Sequence, residues 1–94
     1  MTRDTVIEKV YGAIAALLCV DVETLSLENK FYNDLGCDDL DEVELAMECE
    51  GIFEIEITDE EMSGIMDEDI ESLVTLILEK KRWQWIYLHE LKLN

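Results

Sequence analysis

The sequence predicts an all-α fold, a bundle of three long helices and one short helix. Apolar residues recur at intervals of three and four in several stretches, which is the spacing of helices with one buried face. Residues that cap helices stand before these stretches, and the chain contains no proline. With 94 residues, of which 49% are hydrophobic, the chain is long enough for one domain with a modest core.

The first helix is predicted from Thr5 to Leu18. Its apolar residues would form one buried stripe: Val6, Ile7, Val10, Tyr11, Ile14, Leu17 and Leu18. Residues 19–34 mix polar and scattered apolar side chains and predict a long ordered loop, a feature that usually carries function. The loop side chains expected to enter the core are Val20, Val22, Leu25, Leu27 and Phe31.

The second helix is predicted to begin after Gly36, with Asp38 as its N-cap and Asp41 completing a variant of the capping box. We expect its inward face to contain Leu40, Val43, Met47 and either Cys49 or the group Gly51, Ile52 and Phe53. An acidic ridge would then lie outward, formed by Asp41, Glu44, Glu48 and Glu50. The ridge is either a solvated face or a surface for a partner, since like charges four residues apart do not stabilise a helix.

Two further helices are predicted in the second half of the chain. Residues 53–57 alternate apolar and acidic side chains as a short extended piece, and Thr58 with Glu61 forms a capping box for a brief helix through about Met62. Asp67 or Asp69 can cap the last helix. Its buried stripe would contain Ile70, Leu73, Val74, Ile77 and Leu78.

The charge of the chain restricts its partners. There are 24 acidic and 7 basic residues, a formal net charge of -17. Such a field repels nucleic acid and anionic lipid, and it favours proteins that present basic patches. No signal segment and no run of apolar residues long enough to span a membrane occurs, so we expect a cytoplasmic location without stable membrane insertion.

Several motifs resemble those of acyl carrier proteins. They are D-L-G at 34–36, then Asp38, Leu40 and Asp41, then V-E-L at 43–45, and F-E-I-E-I-T-D-E-E at 53–61. The similarity is continuous over about 29–65 and looser over 6–78. The resemblance implies a four-helix bundle of acyl-carrier type, with a long loop between its first two helices, over residues 1–79.

The resemblance also implies a function in biosynthesis of the fatty-acid or polyketide type. Members of the family shuttle acyl chains as thioesters on a 4′-phosphopantetheine arm. Their acidic second helix docks to basic patches of synthase and transferase enzymes. In this sequence the matching partner-binding residues are Asp38, Leu40, Asp41, Glu44, Met47 and Glu48.

The family attaches its arm to a serine in the pattern D-S-L, and Asp39 stands at the matching position. A carboxylate has no hydroxyl with which to form the phosphodiester, so we expect the arm to be absent. Cys37, two residues away, offers a thiol instead of the required oxygen. Asp39 then either favours the start of the helix through the helix dipole, by about 0.3–1 kcal/mol, or imitates the charge of the phosphodiester. A deliberate replacement of the serine of an ordinary carrier would give the same sequence.

The last residues, 80–94, form a tail that differs from the rest of the chain. Lys80, Lys81, Arg82 and Lys92 against Glu90 give it a net charge of +3, whereas residues 1–79 carry 3 basic and 23 acidic residues, net -20. Trp83, Ile86, Tyr87 and Leu91 fall at helical spacing, so the tail continues the last helix or forms a short amphipathic one.

Three interpretations of the tail are open. Its rings would pack onto the bundle of the same chain, mediate self-association or partner docking, or bind a membrane surface. Self-association would use Trp83, Trp85, Ile86 and Tyr87.

Nothing in the sequence predicts an enzyme. His89, the only histidine, stands in no visible constellation with Ser, Cys or Asp, and the acidic residues lack the spacing of a calcium-binding loop. The cysteines Cys19, Cys37 and Cys49 share no metal-binding or disulfide pattern, and we expect them to be reduced. We therefore predict no catalytic residue and no metal site. The alternative to a carrier-like protein is an interaction module that keeps the bundle and uses the acidic ridge or the tail.

Overall fold

Four α-helices form the regular structure of the part of the chain that the computed structural model describes, which is residues 1–93 with side chains through His89. In chain order they are α1 (Arg3–Leu18), α2 (Asp39–Phe53), α3 (Asp59–Met66) and α4 (Ile70–Leu93), with a short 3-10 turn at Val22–Thr24. This order confirms the predicted all-α bundle with three long helices and one short one.

The core lies between α1, α2 and α4, and α3 closes it from one side. α1 packs against both α2 and α4. The largest fully buried side chains come from all four helices and from the loop after α1: Val6, Val10, Ile14, Phe31, Leu45, Phe53, Met62, Met66, Ile70, Leu73, Val74 and Ile77. Each such side chain contributes about 1.5–3 kcal/mol by leaving water, which is why these few helices hold together.

Side-chain caps begin all four helices. Thr2, whose hydroxyl accepts the Thr5 amide at 3.2 Å, caps α1 and was not predicted. The caps of the other three helices largely follow the prediction. The amide of Asp41 donates to Asp38 Oδ1 over 3.0 Å, and the amide of Asp38 donates to Asp41 Oδ2 over 3.1 Å. Thr58 and Glu61 form the same reciprocal pair at α3. Before α4, Asp69 and not Asp67 is the cap, because its Oδ1 accepts the Ser72 amide at 3.0 Å.

α3 is longer than predicted. It continues past Met62 to Met66, because Met66 is fully buried and this burial stabilises the additional turn.

The loop between α1 and α2 is ordered, but its first apolar residues do not enter the core. Val20 and Val22 are exposed, which corrects the prediction, because the 3-10 turn there lies on the surface. Leu25 and Leu27 are partly buried and Phe31 is fully buried. Backbone hydrogen bonds join the loop to the start of α4: Phe31 N to Glu68 O (3.2 Å), Ile70 N to Asn29 O (3.0 Å) and Glu71 N to Leu27 O (2.9 Å).

The predicted inward face of α2 was wrong in part. Its buried residues are Leu45, Cys49 and Phe53. Leu40, Val43 and Met47 are 64%, 53% and 65% exposed. The two sets lie on opposite sides of the helix, and α1 and α3, which pack against α2, leave the second set exposed.

α4 continues without a break into the tail, which confirms one of the two predicted forms. Lys81 Nζ donates to Phe53 O at 3.0 Å and Gln84 Nε2 donates to Glu54 O at 3.1 Å, where α2 ends. Trp83, Trp85 and Tyr87 are nevertheless 68%, 60% and 62% exposed. The prediction that these rings pack onto the bundle of the same chain was therefore wrong. These rings lie on the part of α4 that extends past the end of α2.

Two other residues of the predicted tail stripe are Ile86 and Leu91. Ile86 is partly buried, and the side chain of Leu91, part of the predicted stripe, lies outside the described residues. Among the described helices, none has the length and apolar character needed to cross a membrane.

Candidate functional site

A tight turn directs the chain into α2. Gly36 has φ +67°, a left-handed conformation that other residues adopt at a cost. The turn is held by the amide of Lys30, which donates to Asp34 Oδ2 at 2.8 Å, and by the amide of Cys37, which donates to Phe31 O at 3.0 Å. The D-L-G motif therefore fixes where α2 begins.

Asp39 is the first residue of α2 and its side chain is exposed. The neighbouring carboxylates of Asp38 and Asp41 are engaged in the capping box, whereas the Asp39 carboxylate makes no hydrogen bond within the described part of the chain. Its charge lies at the positive end of the helix dipole, where an anion is favoured. Asp39 thus presents a free anion to solvent.

Tyr32 fixes the loop to the first turn of α2. Its hydroxyl donates to Glu42 Oε1 at 3.0 Å. This hydrogen bond, with lesser contributions from partial burial and the charges of Glu42 and Asp39, raises the pKa of Tyr32 to about 12. The phenol therefore stays protonated as a donor, and it is not a nucleophile at neutral pH.

The cysteines beside α2 are not reactive groups. Burial, reinforced by the charges of Asp41 and Asp38, raises the pKa of the Cys37 thiol to about 11. Burial likewise raises the pKa of Cys49 to about 12. Cys37 is a buried core residue, and because the thiolate is the nucleophilic form, its raised pKa makes the thiol a weak nucleophile at neutral pH.

The residues at the start of α2 do not fit a covalently attached 4′-phosphopantetheine. The arm is held through a serine oxygen, and residues 34–41 contain neither serine nor threonine. The nearby Tyr32 hydroxyl is already engaged with Glu42. At the expected attachment position the structure places only the Asp39 carboxylate.

Exposed residues of α2 form a continuous surface next to Asp39, which we call the docking face. It consists of Leu40, Val43, Glu44, Met47 and Glu48. All six predicted partner-binding residues lie within the N-cap and the first ten residues of α2, and all are exposed except the partly buried Asp41. Val43 was missed as a surface residue because its spacing also suited a core position.

The acidic ridge is shorter than predicted. The carboxylate of Glu50 turns inward at the end of α2, where its Oε2 accepts the amide of Ile57 at 3.0 Å. Glu50 therefore fixes the segment that follows the helix, and Glu44 and Glu48 remain as the exposed acids of the docking face.

Neither His89 nor the acidic residues build a reactive centre in the described part of the chain. His89 stacks on Trp85 with ring centroids 3.8 Å apart, and its Nδ1 lies 3.0 Å from Trp85 O. No group of three His, Cys, Asp or Glu side chains among the described residues is placed to hold a metal ion.

The fold and the turn before α2 define a carrier-type helical domain. Residues 8–77 match the family described as phosphopantetheine attachment site (PP-binding), which is about three quarters of the chain. The chain belongs to this family, as its resemblance to acyl carrier proteins predicted. The match ends before the tail begins.

Proposed function

We propose that this protein docks to enzymes of fatty-acid or polyketide-type biosynthesis as a carrier-like protein that bears no arm. The observation that carries the proposal is the exposed Asp39 carboxylate at the first position of α2, directly beside a complete docking face. Family membership supports a carrier-like role. The absence of a hydroxyl at the start of α2 argues against covalent carriage.

The docking face has the composition of a protein interface. Leu40, Val43 and Met47 offer an apolar centre, and Glu44 and Glu48 provide charge beside it. The net charge of -17 increases the rate at which a basic surface encounters the protein. A synthase or transferase with a basic patch around an apolar depression fits both features.

In this proposal Asp39 takes the place of the phosphodiester of a loaded carrier. Both groups put a negative charge at the same end of α2, where the helix dipole stabilises it. The protein would compete with loaded carriers for their enzymes without delivering an acyl chain. Its regulatory effect would follow only from occupying the site at which these enzymes bind loaded carriers.

The test is the affinity for a phosphopantetheinyl transferase, measured by calorimetry. Glu44→Lys with Glu48→Lys should weaken binding about tenfold or more, because two attractive charges become repulsive at the interface. The matched control, Glu23→Lys with Glu28→Lys, changes the same charge at exposed loop positions and should have a much smaller effect. Equal losses in the two variants would contradict docking through α2.

Asp39→Asn tests the charge mimic separately. The substitution keeps the size of the side chain and removes its charge, so the proposal expects weaker binding to the same transferase. If Asp39→Asn binds as tightly as the native chain, Asp39 serves only the start of the helix.

The second candidate function is an interaction module with partners unrelated to carrier enzymes. The exposed rings of Trp83, Trp85 and Tyr87 favour it, because large exposed aromatic surfaces mark interfaces. A chain that binds no transferase, either as the native protein or as Asp39→Ser, would support this candidate over the first.

A further inference from the structure

A groove of about 760 Å³ runs beside α4, where the end of α2 and the segment that follows it meet α4. We call it the α4 groove. Its apolar lining residues are Ile55, Leu76 and Trp83. Ile55 is buried and Leu76 is partly buried, whereas Trp83 is 68% exposed. The groove therefore offers a large aromatic ring that is mostly open to solvent.

Acidic residues surround this ring. The acids that line the groove are Glu50, Glu54, Glu56, Glu61 and Glu79. Glu50 accepts the Ile57 amide at 3.0 Å, and Glu61 pairs at 2.9 Å with Lys80, the one basic residue among the described lining residues. The other three acids are exposed, and their carboxylates form no ion pair within the described part of the chain. The groove therefore carries negative charge that no cation of its own lining compensates.

The same side of α4 continues past the groove. Glu79, Trp83 and Tyr87 follow one another at intervals of four residues, and helical residues at this spacing lie on one side of the helix, about 6 Å apart. Tyr87 is 62% exposed. This side of α4 thus presents a carboxylate followed by two aromatic rings.

Trp85 does not belong to this surface. It is two positions from Trp83, and because each helical residue is turned by about 100° from the last, it lies on nearly the opposite side of α4. There it lines another depression with Leu78 and Leu88, and its ring stacks on His89. The two tryptophans therefore report on two different surfaces.

Free carboxylates beside an aromatic face are the partners that an arginine side chain prefers. A guanidinium stacks on aromatic rings and binds a carboxylate through two N–H groups at once, whereas the ammonium of lysine is a point charge. The acids give the groove its sign of charge, and the ring of Trp83 adds the preference for a planar cation.

The dimensions of the groove fit a short extended segment. The groove follows α4 from Leu76 to Gln84, a length of about 12 Å at 1.5 Å per residue. About four residues of extended chain have this length. Alternate side chains of such a segment are about 6.6 Å apart, close to the spacing of Glu79 and Trp83 along α4.

This chain does not itself contain a segment with the required chemistry. Its two arginines are Arg3 and Arg82, far apart in the sequence, and Arg3 already pairs with Glu71. The occupant that the charge of the groove favours is therefore a different protein.

We propose that the α4 groove binds an extended, arginine-containing segment of a partner protein. Arginine side chains stack on Trp83, and the free carboxylates of the lining pair with their guanidinium groups: Glu54, Glu56 and Glu79. This binding is independent of the docking face of α2, with which the α4 groove shares no residue.

Tryptophan fluorescence at physiological ionic strength tests where the segment binds. Trp85→Phe retains Trp83 as the one tryptophan, and Trp83→Phe retains Trp85, the matched control on the other side of α4. Titration with an end-capped peptide of alternating arginine and glycine should change the emission of Trp83 until it saturates, and it should leave the emission of Trp85 unchanged. A response of both tryptophans, or of Trp85 alone, would contradict binding in the α4 groove.

Calorimetry with the same peptide tests the free carboxylates. The groove variant carries Glu54→Gln, Glu56→Gln and Glu79→Gln. Its affinity should fall about tenfold or more, because the partners of the guanidinium groups are removed. The matched control neutralises three exposed acids outside the groove, Glu8→Gln, Glu23→Gln and Glu28→Gln. Its loss should be much smaller, and equal losses would overturn the proposal by showing a response to net charge alone.

Two further measurements separate this occupant from others. A peptide with lysine in place of each arginine should bind about threefold more weakly or worse, because an ammonium does not stack on the ring as a guanidinium does. Equal affinity would contradict recognition of arginine. A Trp83 emission that changes with protein concentration in the absence of peptide would instead assign the ring to a second copy of this chain.

Discussion

Asp39 is the residue on which the proposed absence of the arm depends. The residues around it keep the turn, the capping box and the first turn of α2. These features are local in sequence, and for that reason the Asp38–Asp41 pair could be predicted from spacing alone. The burial of Cys37 and the raised pKa of its thiol could not be predicted from spacing, because they depend on which residues the other helices cover.

Glu61 leads to a prediction about pH. Its carboxylate accepts from Lys80 Nζ at 2.9 Å and from the Thr58 amide at 2.9 Å, and the Lys80 hydrogen bond is the main cause of a pKa below the ordinary value of 4.5. A lowered pKa in the folded protein means that the ionised form stabilises the fold. That contribution is present at neutral pH and is lost as the pH falls through the folded pKa.

The expected result is a difference between Glu61→Gln and the native chain that depends on pH. At pH 7 the variant should unfold with a free energy lower by about 0.5 kcal/mol, a small value because the pair is partly exposed to solvent. The difference should shrink as the pH falls below 4.5. Urea denaturation at several pH values measures this difference in the free energy of unfolding.

Glu60→Gln is the control, because Glu60 is an exposed neighbour with no ion pair among the described residues, and it should show no comparable loss of stability. A loss of stability in Glu61→Gln that persists in acid would contradict the assignment.

At the scale of elements, the helices could be predicted where their signals are local and one-sided. α1 and α4 each have one predicted apolar stripe, and apart from Ala13 their buried residues belong to it. The other members of the two stripes are partly buried: Ile7, Tyr11, Leu17, Leu18 and Leu78. α2 has two apolar sets, Leu40, Val43 and Met47 on one side and Leu45, Cys49 and Phe53 on the other. Spacing alone cannot decide between them, because the packing of α1 and α3 on α2 determines which set is buried. The exposed set belongs to the surface for which docking is proposed.

The residue that ends α1 leads to a prediction about stability. Cys19 ends α1 with φ 57° and ψ 47°, a left-handed conformation in which a side chain is strained. Cys19→Gly should therefore raise the free energy of unfolding by about 0.5–1 kcal/mol, after allowance for the greater freedom of glycine in the unfolded chain. Denaturant unfolding under reducing conditions measures the change.

Gly36→Ala tests the same backbone effect in the opposite direction to Cys19→Gly. Gly36 has φ +67°, so the added Cβ should lower stability by about 1 kcal/mol even though no atom lies within 4 Å of it. Destabilisation by Cys19→Gly, or a neutral Gly36→Ala, would show that these backbone conformations do not limit stability.

At the scale of the whole molecule, the length of α2 separates Asp39 from the base of the tail. Asp39 and Phe53 lie at opposite ends of α2, about 20 Å apart, and the tail leaves from the Phe53 end. Glu44, Met47 and Glu48 of the docking face also line a mainly apolar groove between α1 and α2.

The most direct measurement of the central claim is intact mass after incubation with a phosphopantetheinyl transferase and coenzyme A. The native chain and Asp39→Ser are treated side by side. We predict a gain of one phosphopantetheine group in Asp39→Ser and none in the native chain, because the docking face is present and only the attachment oxygen is missing. A gain in the native chain would contradict the absence of the arm, and no gain in either chain would contradict recognition by carrier enzymes.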